Sequence, residues 1–471
     1  MTPGPGRRGR ASFALGVNYT HTLASEACPS RVLAAPLPTA VSHHSSAHPV
    51  VVVGAGLSGL ACARVLAGAG RPVLVVESGN GVGGRVRTDE VEGFRLDRGF
   101  QVFFTAYPEA RRVLDFEALR LHRFEPGALV RVEGRFHRIV DPLRSPLGAL
   151  AAVGAPVGSL GDKLRVLTLR QRAVRMTVDE IFALPERSIG DELAALGFSP
   201  RIVSRFFRPL LGGIFLDTEL GTTNRLFYFV YKMLAEGHTT VPAGGMQAIP
   251  EQLAARLPAG AVRLGCRVCA LRRQGDAVSG VVLDGGHEVT AAAVVVATNV
   301  QQAAALTQAP AAPTARSVAC LYFAAPRAPY RRPILALDGE GTGPVLNLTV
   351  PSRVAPGYAP AGQELVSAAV VGAPAASDRT LEEEVRRQLS DWFGASEVGT
   401  WRALRTYRIP WAQFDQSPGA WGDGRRDVRL GRGLYVCGDH VENASINGAL
   451  VAGRRAAEAV LEDLAAAGSG R

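Results

Sequence analysis

PVVVVGAGLSGLACARVLAGAGRPVLVVES, residues 49–78, decides the fold. Val50 to Val53 are a β-branched run too short for a helix and suited to a buried parallel strand. Gly54, Gly56 and Gly59 follow in the G-x-G-x-x-G spacing, and each has its own task. Gly54 permits the tight strand-to-helix turn, Gly56 lets the backbone approach a pyrophosphate, and Gly59 lets helix and strand pack closely. A helical pattern runs from Leu57 to about Gly68, and Pro72 to Val76 reads as a second strand ending in Glu77. The start of that helix carries unsatisfied N–H groups and positive dipole, which suit a phosphate. Glu77 stands where a ribose-binding carboxylate is expected. Alone, the glycine spacing is weak evidence in a chain with 53 glycines. Strand, fingerprint, helix, second strand and terminal acid in that order make a dinucleotide-binding unit.

Working outward, Gly81 to Thr88 (GVGGRVRT) form a second glycine-rich turn, and Gly83, Gly84 and Arg85 can bring backbone N–H groups and a guanidinium to the same pyrophosphate. Phe94 to Gln101 (FRLDRGFQ) alternate into a glycine where a flat ring can approach the backbone. Near the other end, Gly433 to Cys437 read as a short strand ending in Gly438-Asp439, and Ser445 to Ala449 open a helix. An acid at a strand end can accept a hydrogen bond from a ligand hydroxyl, and a helix start stabilises negative charge.

The order G-x-G-x-x-G, Glu, GGR-x-R-T, D-x-G resembles the superfamily of flavin-containing amine oxidases, protoporphyrinogen oxidases and phytoene desaturases. The segment Val241 to Met246 (VPAGGM) with the later VVVAT is similar to that family's P-x-GGM…VVxAT pattern, and the closing signature matches at Gly438, Asp439, Gly448, Ala449, Gly453, Ala456 and Ala457. The resemblance covers nearly everything from Pro49 to Leu464. It implies FAD as cofactor, with Gly83, Gly84 and Arg85 near the diphosphate and ribityl chain, Asp97 and Gly99 more loosely placed, and Val268 meeting the adenine through its backbone. It also implies an α/β chain whose FAD-binding Rossmann-like domain is discontinuous, with an inserted α+β substrate domain. The expected division is 49–106, 240–300 and 425–471 for FAD, and 107–239 and 301–424 for the substrate.

Composition narrows the rest. At 471 residues the chain exceeds one compact core, and 47% hydrophobic with 20% charged residues is globular composition. The formal net charge is +10, yet Lys163 and Lys232 are its only lysines, so the excess is arginine. Without a basic helix interleaved with aromatics, no nucleic-acid partner is expected. Six scattered cysteines read as reduced thiols; Cys266 and Cys269 have no second C-x-x-C, fall in an alternating pattern and are expected to be buried. No metal site is expected. Residues 1–48 are acid-poor and rich in Pro, Gly, Ser and Arg, which suits a disordered tail, an organellar transit peptide or an over-extended start. The compartment is then the cytoplasm, or an organellar stroma or matrix if the tail is a transit peptide. No stretch reads as a membrane span, although the basic helical pattern holding Arg165, Arg170, Arg172 and Arg175 is compatible with peripheral membrane contact.

The chemistry expected is the flavin's own: hydride removal, with the protein supplying position and dryness. Some amine oxidases of the family use a lysine-bound water, and neither lysine here has a matching context. The resulting expectation is an FAD-dependent oxidoreductase acting on a small apolar substrate, of desaturase or oxidase type, for instance on a carotenoid or isoprenoid. Amine or protoporphyrinogen oxidation and a non-catalytic prenyl- or lipid-binding role on the same fold are the alternatives. Tyr407, Trp411 and Phe414 are candidates for the substrate side of the ring. The electron acceptor and the catalytic residues stay open.

Overall fold

The computed structural model describes residues 48–141, 143–145, 154–308, 314–420 and 426–469. The expectations for the first 47 residues lie outside these.

The valine run forms β1 (Val50–Val53), completely buried, as a strand covered on both faces must be. It leads into α1 (Leu57–Gly68), which returns the chain to β2 (Val73–Val76), parallel to β1. On its other side β1 pairs in parallel with Ala293–Val296, which pairs in parallel with Leu434–Val436. With Val262–Arg263 beside β2 and an antiparallel edge at Arg429–Gly431, this makes one six-stranded sheet from four distant parts of the chain.

Two close approaches hold the sheet to its helices. A Cβ at Gly59 would lie 2.0 Å from Gly54 O, so only glycine lets α1 sit this near the end of β1. Across the other side of α1, the long Ile446–Ser469 helix crosses at Gly453, where a methyl would strike Ser58 O. Ala61, Ala452 and Ala456 are buried in the same core. Small residues here trade side-chain area for backbone proximity.

A seven-stranded sheet runs in the order Arg402–Phe414, Ala315–Ala325, Glu364–Val371, Asn347–Thr349, Leu335–Asp338, Gly127–Val132, Arg135–Val140. Strand alternation splits its two faces. Ala319, Leu321 and Phe323 pack with Leu381, Val385 and Leu389 of the Asp378–Phe393 helix, whereas Cys320 and Tyr322 join the core of the six-stranded sheet. A helical stretch, Leu160–Arg175 through Asn224–Glu236, lies between. Its turns start on Ser159, Thr177, Ser188, Ser199 and Thr223, each accepting a first-turn N–H. Along Leu160–Arg175, Arg170 bonds Asp141 and Ala235 O, and Arg172 lies over the Tyr228 ring. Among the described residues no helix is long and apolar enough to cross a membrane.

Three runs of the chain fold otherwise than their local pattern suggests. The alternating run Val262–Ala270 is not one strand: Gly265, at φ +67°, turns it, so Val262–Arg263 joins the six-stranded sheet and Val268–Gln274 opens a separate hairpin. Cys266 is therefore half-buried and Cys269 exposed, not buried thiols. The run Val289–Ala297 also divides, into Glu288–Thr290 of the hairpin sheet and Ala293–Val296 of the large one. Finally, Pro209 and Gly212 do not end a helix. A π turn over Val203–Phe207 widens the spiral, Arg208 N reaching Val203 O, and Pro209 then enters the first turn of Arg208–Phe215.

One carboxyl is buried inside this junction. Asp97, at the end of strand Phe94–Asp97, accepts from Thr88 Oγ1 at 2.6 Å, Met246 N at 2.9 Å and Tyr358 Oη at 2.9 Å. Burial outweighs those bonds and pushes its pKa up to about 6. An acid raised in the folded state stabilises below its unfolded value, near 3.9, and loses that contribution as pH climbs through the folded value. Urea unfolding of wild type and Asp97→Asn at several pH values should therefore show wild type losing up to about 3 kcal/mol relative to the variant between pH 4 and pH 6. A difference that stays flat across that window would refute it.

Candidate functional site

The carboxyl ends of the six-stranded sheet and one face of the seven-stranded sheet enclose a cavity of about 980 Å³. Open α/β sheets bind ligands at this end. Its two halves differ in chemistry.

The first half is backbone and charge. Gly54, at φ +107°, turns the chain off β1, and Gly56 starts α1 with no side-chain cap and no acid in the first turn. A Cβ on Gly56 would touch nothing within 4 Å, because it would point into the cavity. The uncapped N–H groups and the vacant approach are what a diphosphate requires. The second glycine turn lies against the first: Gly83 N donates to Ala55 O at 2.8 Å, and a Cβ on Gly84 would lie 3.5 Å from Gly56 Cα. Glu77 accepts from Ala55 N at 2.8 Å and Gly79 N at 2.7 Å, tying the first turn to the tip of β2.

From the far end of the sequence, Gly438-Asp439 follows Leu434–Val436 into the same space. Arg85 Nη2 meets Asp439 Oδ1 at 2.6 Å, and Arg85 Nη1 donates to Ala412 O at 2.8 Å. Burial alone would push the Asp439 carboxyl up; Arg85 overcomes this and holds it below the usual carboxylate range. Burial pushes the neighbouring His440 down to about 4, so it is neutral at pH 7. The Ile446–Ser469 helix opens here as well, with Ser445, Ile446 and Ala449 on the cavity wall.

Ten of the residues singled out from sequence for the cofactor line the cavity together: Gly54, Gly56, Glu77, Gly83, Gly84, Arg85, Val268, Gly438, Asp439 and Ala449. Gly59 and Gly448 do not. Gly59 packs on Gly54, and Gly448 packs on Asn443, whose carbonyl a methyl would strike. Gly99, at φ +85°, lines the wall against Ile409, while Asp97 is a buried bracing group behind it.

The second half is apolar. Leu210, Ile214, Phe215 and Leu216 come from the Arg208–Phe215 helix and the residue after it; Val318, Leu335, Ala369, Val371 and Ile409 come from the seven-stranded sheet. Tyr407 is on this wall, its hydroxyl bonded to Asp89 at 2.7 Å. Trp411 and Phe414 are not; they border a small side chamber with Arg85 and Asp439. Neither lysine reaches the cavity: Lys163 Nζ bonds Ala155 O and Lys232 Nζ bonds Val174 O and Glu236. Asn347 and Gln413 also line the wall and went unrecognised in the sequence, where nothing but alternation within short strands marks them. No group of His, Cys, Asp and Glu among the described residues could hold a metal ion.

With this geometry in hand, comparison with known proteins is informative. A sequence model of the flavin containing amine oxidoreductase family matches residues 57–461. The phytoene dehydrogenase of Streptomyces griseus is 35% identical over 278 residues, 50% of this chain and 52% of that protein. Polyamine oxidase 1 of Oryza sativa subsp. japonica is 31% identical over 263 residues, 51% of this chain and 50% of that one. The chain thus spans about half the length of the curated relatives it matches. In three dimensions an oxidoreductase from Methanosarcina mazei superposes with a TM-score of 0.68 at 19% identity, over 88% of this chain and 100% of that one. A putrescine oxidase bound to putrescine superposes with a TM-score of 0.66 at 17% identity, over 88% of this chain and 99% of that one.

Proposed function

Because the chain belongs to the flavin-containing amine oxidoreductase family, we propose that it is an FAD-dependent oxidoreductase that removes hydride from an apolar substrate, of the desaturase or oxidase kind and with isoprenoids as the leading class. In this reading residues 49–106, 240–300 and 425–471 hold FAD, and 107–239 with 301–424 hold the substrate. The uncapped start of α1 would hold the diphosphate, Arg85 and Asp439 the ribityl chain, and Val268 the adenine. FAD, once bound, supplies the hydride acceptor. The chain's own residues orient both partners and keep water from the apolar half.

The observation that carries the substrate class is the placement of charge. The acids on the cavity wall are Glu77, Asp284 and Asp439, all in the glycine-rich half; the opposite half has no carboxylate among the described residues. An ammonium substrate entering that half would be desolvated with no counter-charge, at a cost of several kcal/mol. An apolar chain gains by the same transfer. Anaerobic titration of the FAD-loaded protein with polyene isoprenoids, primary and secondary amines and porphyrinogens should bleach the flavin with the isoprenoids and leave it oxidised with amines. Bleaching by an amine at the lower concentration would overturn the assignment.

A further inference from the structure

In the apolar half, the Asn347 carboxamide is left without a partner by the fold. Asn347, in the strand Asn347–Thr349, is only 4% exposed and lies on the cavity wall. Its strand is central in the seven-stranded sheet, paired with Leu335–Asp338 and Glu364–Val371, so the backbone at this position is fixed. Its carboxamide makes no hydrogen bond with any described residue. The neighbouring polar side chains do. Gln101 Nε2 donates to Arg85 O at 2.8 Å and the Tyr407 hydroxyl to Asp89, while Gln413 is tied through Nε2 to Ile214 O at 2.8 Å, its Oε1 staying unbonded. The Arg408 guanidinium is engaged by Asp378, Pro374 O and Ala376 O. Opposite Asn347 the Arg208–Phe215 helix presents Gly213, where any side chain would collide with Asn347 Nδ2. The helix therefore leaves room for the carboxamide without bonding it.

A pure hydrocarbon filling this half would strip water from Asn347 and return nothing to its donor or acceptor, and buried polar groups are rarely left so. A carboxamide is neutral and offers both a donor and an acceptor. It matches a hydroxyl or a carbonyl; an ammonium would call for a carboxylate, and a carboxylate for a free guanidinium. Resting on the apolar-substrate reading above, we propose that the substrate is an apolar chain bearing one neutral oxygen function, a hydroxyl or a carbonyl, and that Asn347 receives that oxygen. Asn347 thereby sets which end of the chain lies deepest and which bond faces the hydride acceptor.

The FAD-loaded full chain is titrated, in one detergent, with a series of all-trans isoprenoid alcohols, the matching aldehydes and the matching hydrocarbons, and Kd is read from the perturbation of flavin absorbance. The oxygenated ligands should bind about ten- to a hundredfold more tightly than the hydrocarbons of equal length. Asn347→Leu should abolish that preference, through weaker binding of the oxygenated series, with FAD occupancy retained. Should that variant not fold, Asn347→Thr, which keeps a hydroxyl on a β-compatible side chain, should retain an intermediate preference. Equal affinity of wild type for hydrocarbon and alcohol overturns the inference and leaves the apolar-substrate reading standing. Absence of any isoprenoid response together with bleaching by amines overturns both.

Discussion

Gly56→Val should fold normally and lose its flavin. The backbone there, φ −72° and ψ 176°, is extended and open to any residue, and the new side chain meets no protein atom within 4 Å. It instead occupies the space into which the uncapped start of α1 points. Forcing two methyl groups between backbone N–H and diphosphate costs at least about 3 kcal/mol, a hundredfold or more in Kd. Circular dichroism and thermal unfolding of the variant should match the wild-type apoprotein, and the purified protein should be colourless. Full FAD occupancy in Gly56→Val would remove the physical basis for placing the diphosphate at this turn.

Three residues on, the same kind of substitution should have the opposite phenotype. Gly59→Val places Cβ 2.0 Å from Gly54 O, a backbone atom that cannot rotate away, with Ala297 Cβ 3.1 Å off on the other side. Helix α1 would have to lift from β1, and it also carries the crossing with the Ile446–Ser469 helix at Gly453. A penalty above about 4 kcal/mol consumes most of the stability of a typical protein. Soluble yield should collapse, and Gly59→Ala should show a lowered Tm that added FAD does not restore. Wild-type Tm in Gly59→Ala would mean that the helix has slack, which the close packing described here denies. Within one fingerprint, then, Gly56 serves the ligand and Gly59 the fold.

The N-terminal unit was legible because its signals are local and redundant. Four β-branched residues, three glycines at fixed spacing and an acid at the end of a second apolar run leave one arrangement of strand, turn and helix. Of the closing signature, Gly438, Asp439 and Ala449 line the same cavity as Gly56 and Glu77. Gly448 shows where motif reading overreaches, because a glycine kept for packing and one kept for ligand approach look alike in one dimension.

Sequence alone, then, determined the nucleotide half of this protein: the order of its elements and the backbone positions that must be glycine. Tertiary structure decided what alternation cannot express. Two apolar runs each divide between two sheets, a π turn carries a helix through Pro209, and Arg85 finds its counter-charge in Asp439. It also decided that a buried Asn347 faces the apolar half of the cavity. The reason is physical. Periodicity fixes which face of an element is buried, but the partner across that face comes from hundreds of residues away, and its charge, size and hydrogen-bonding capacity are properties of the pair.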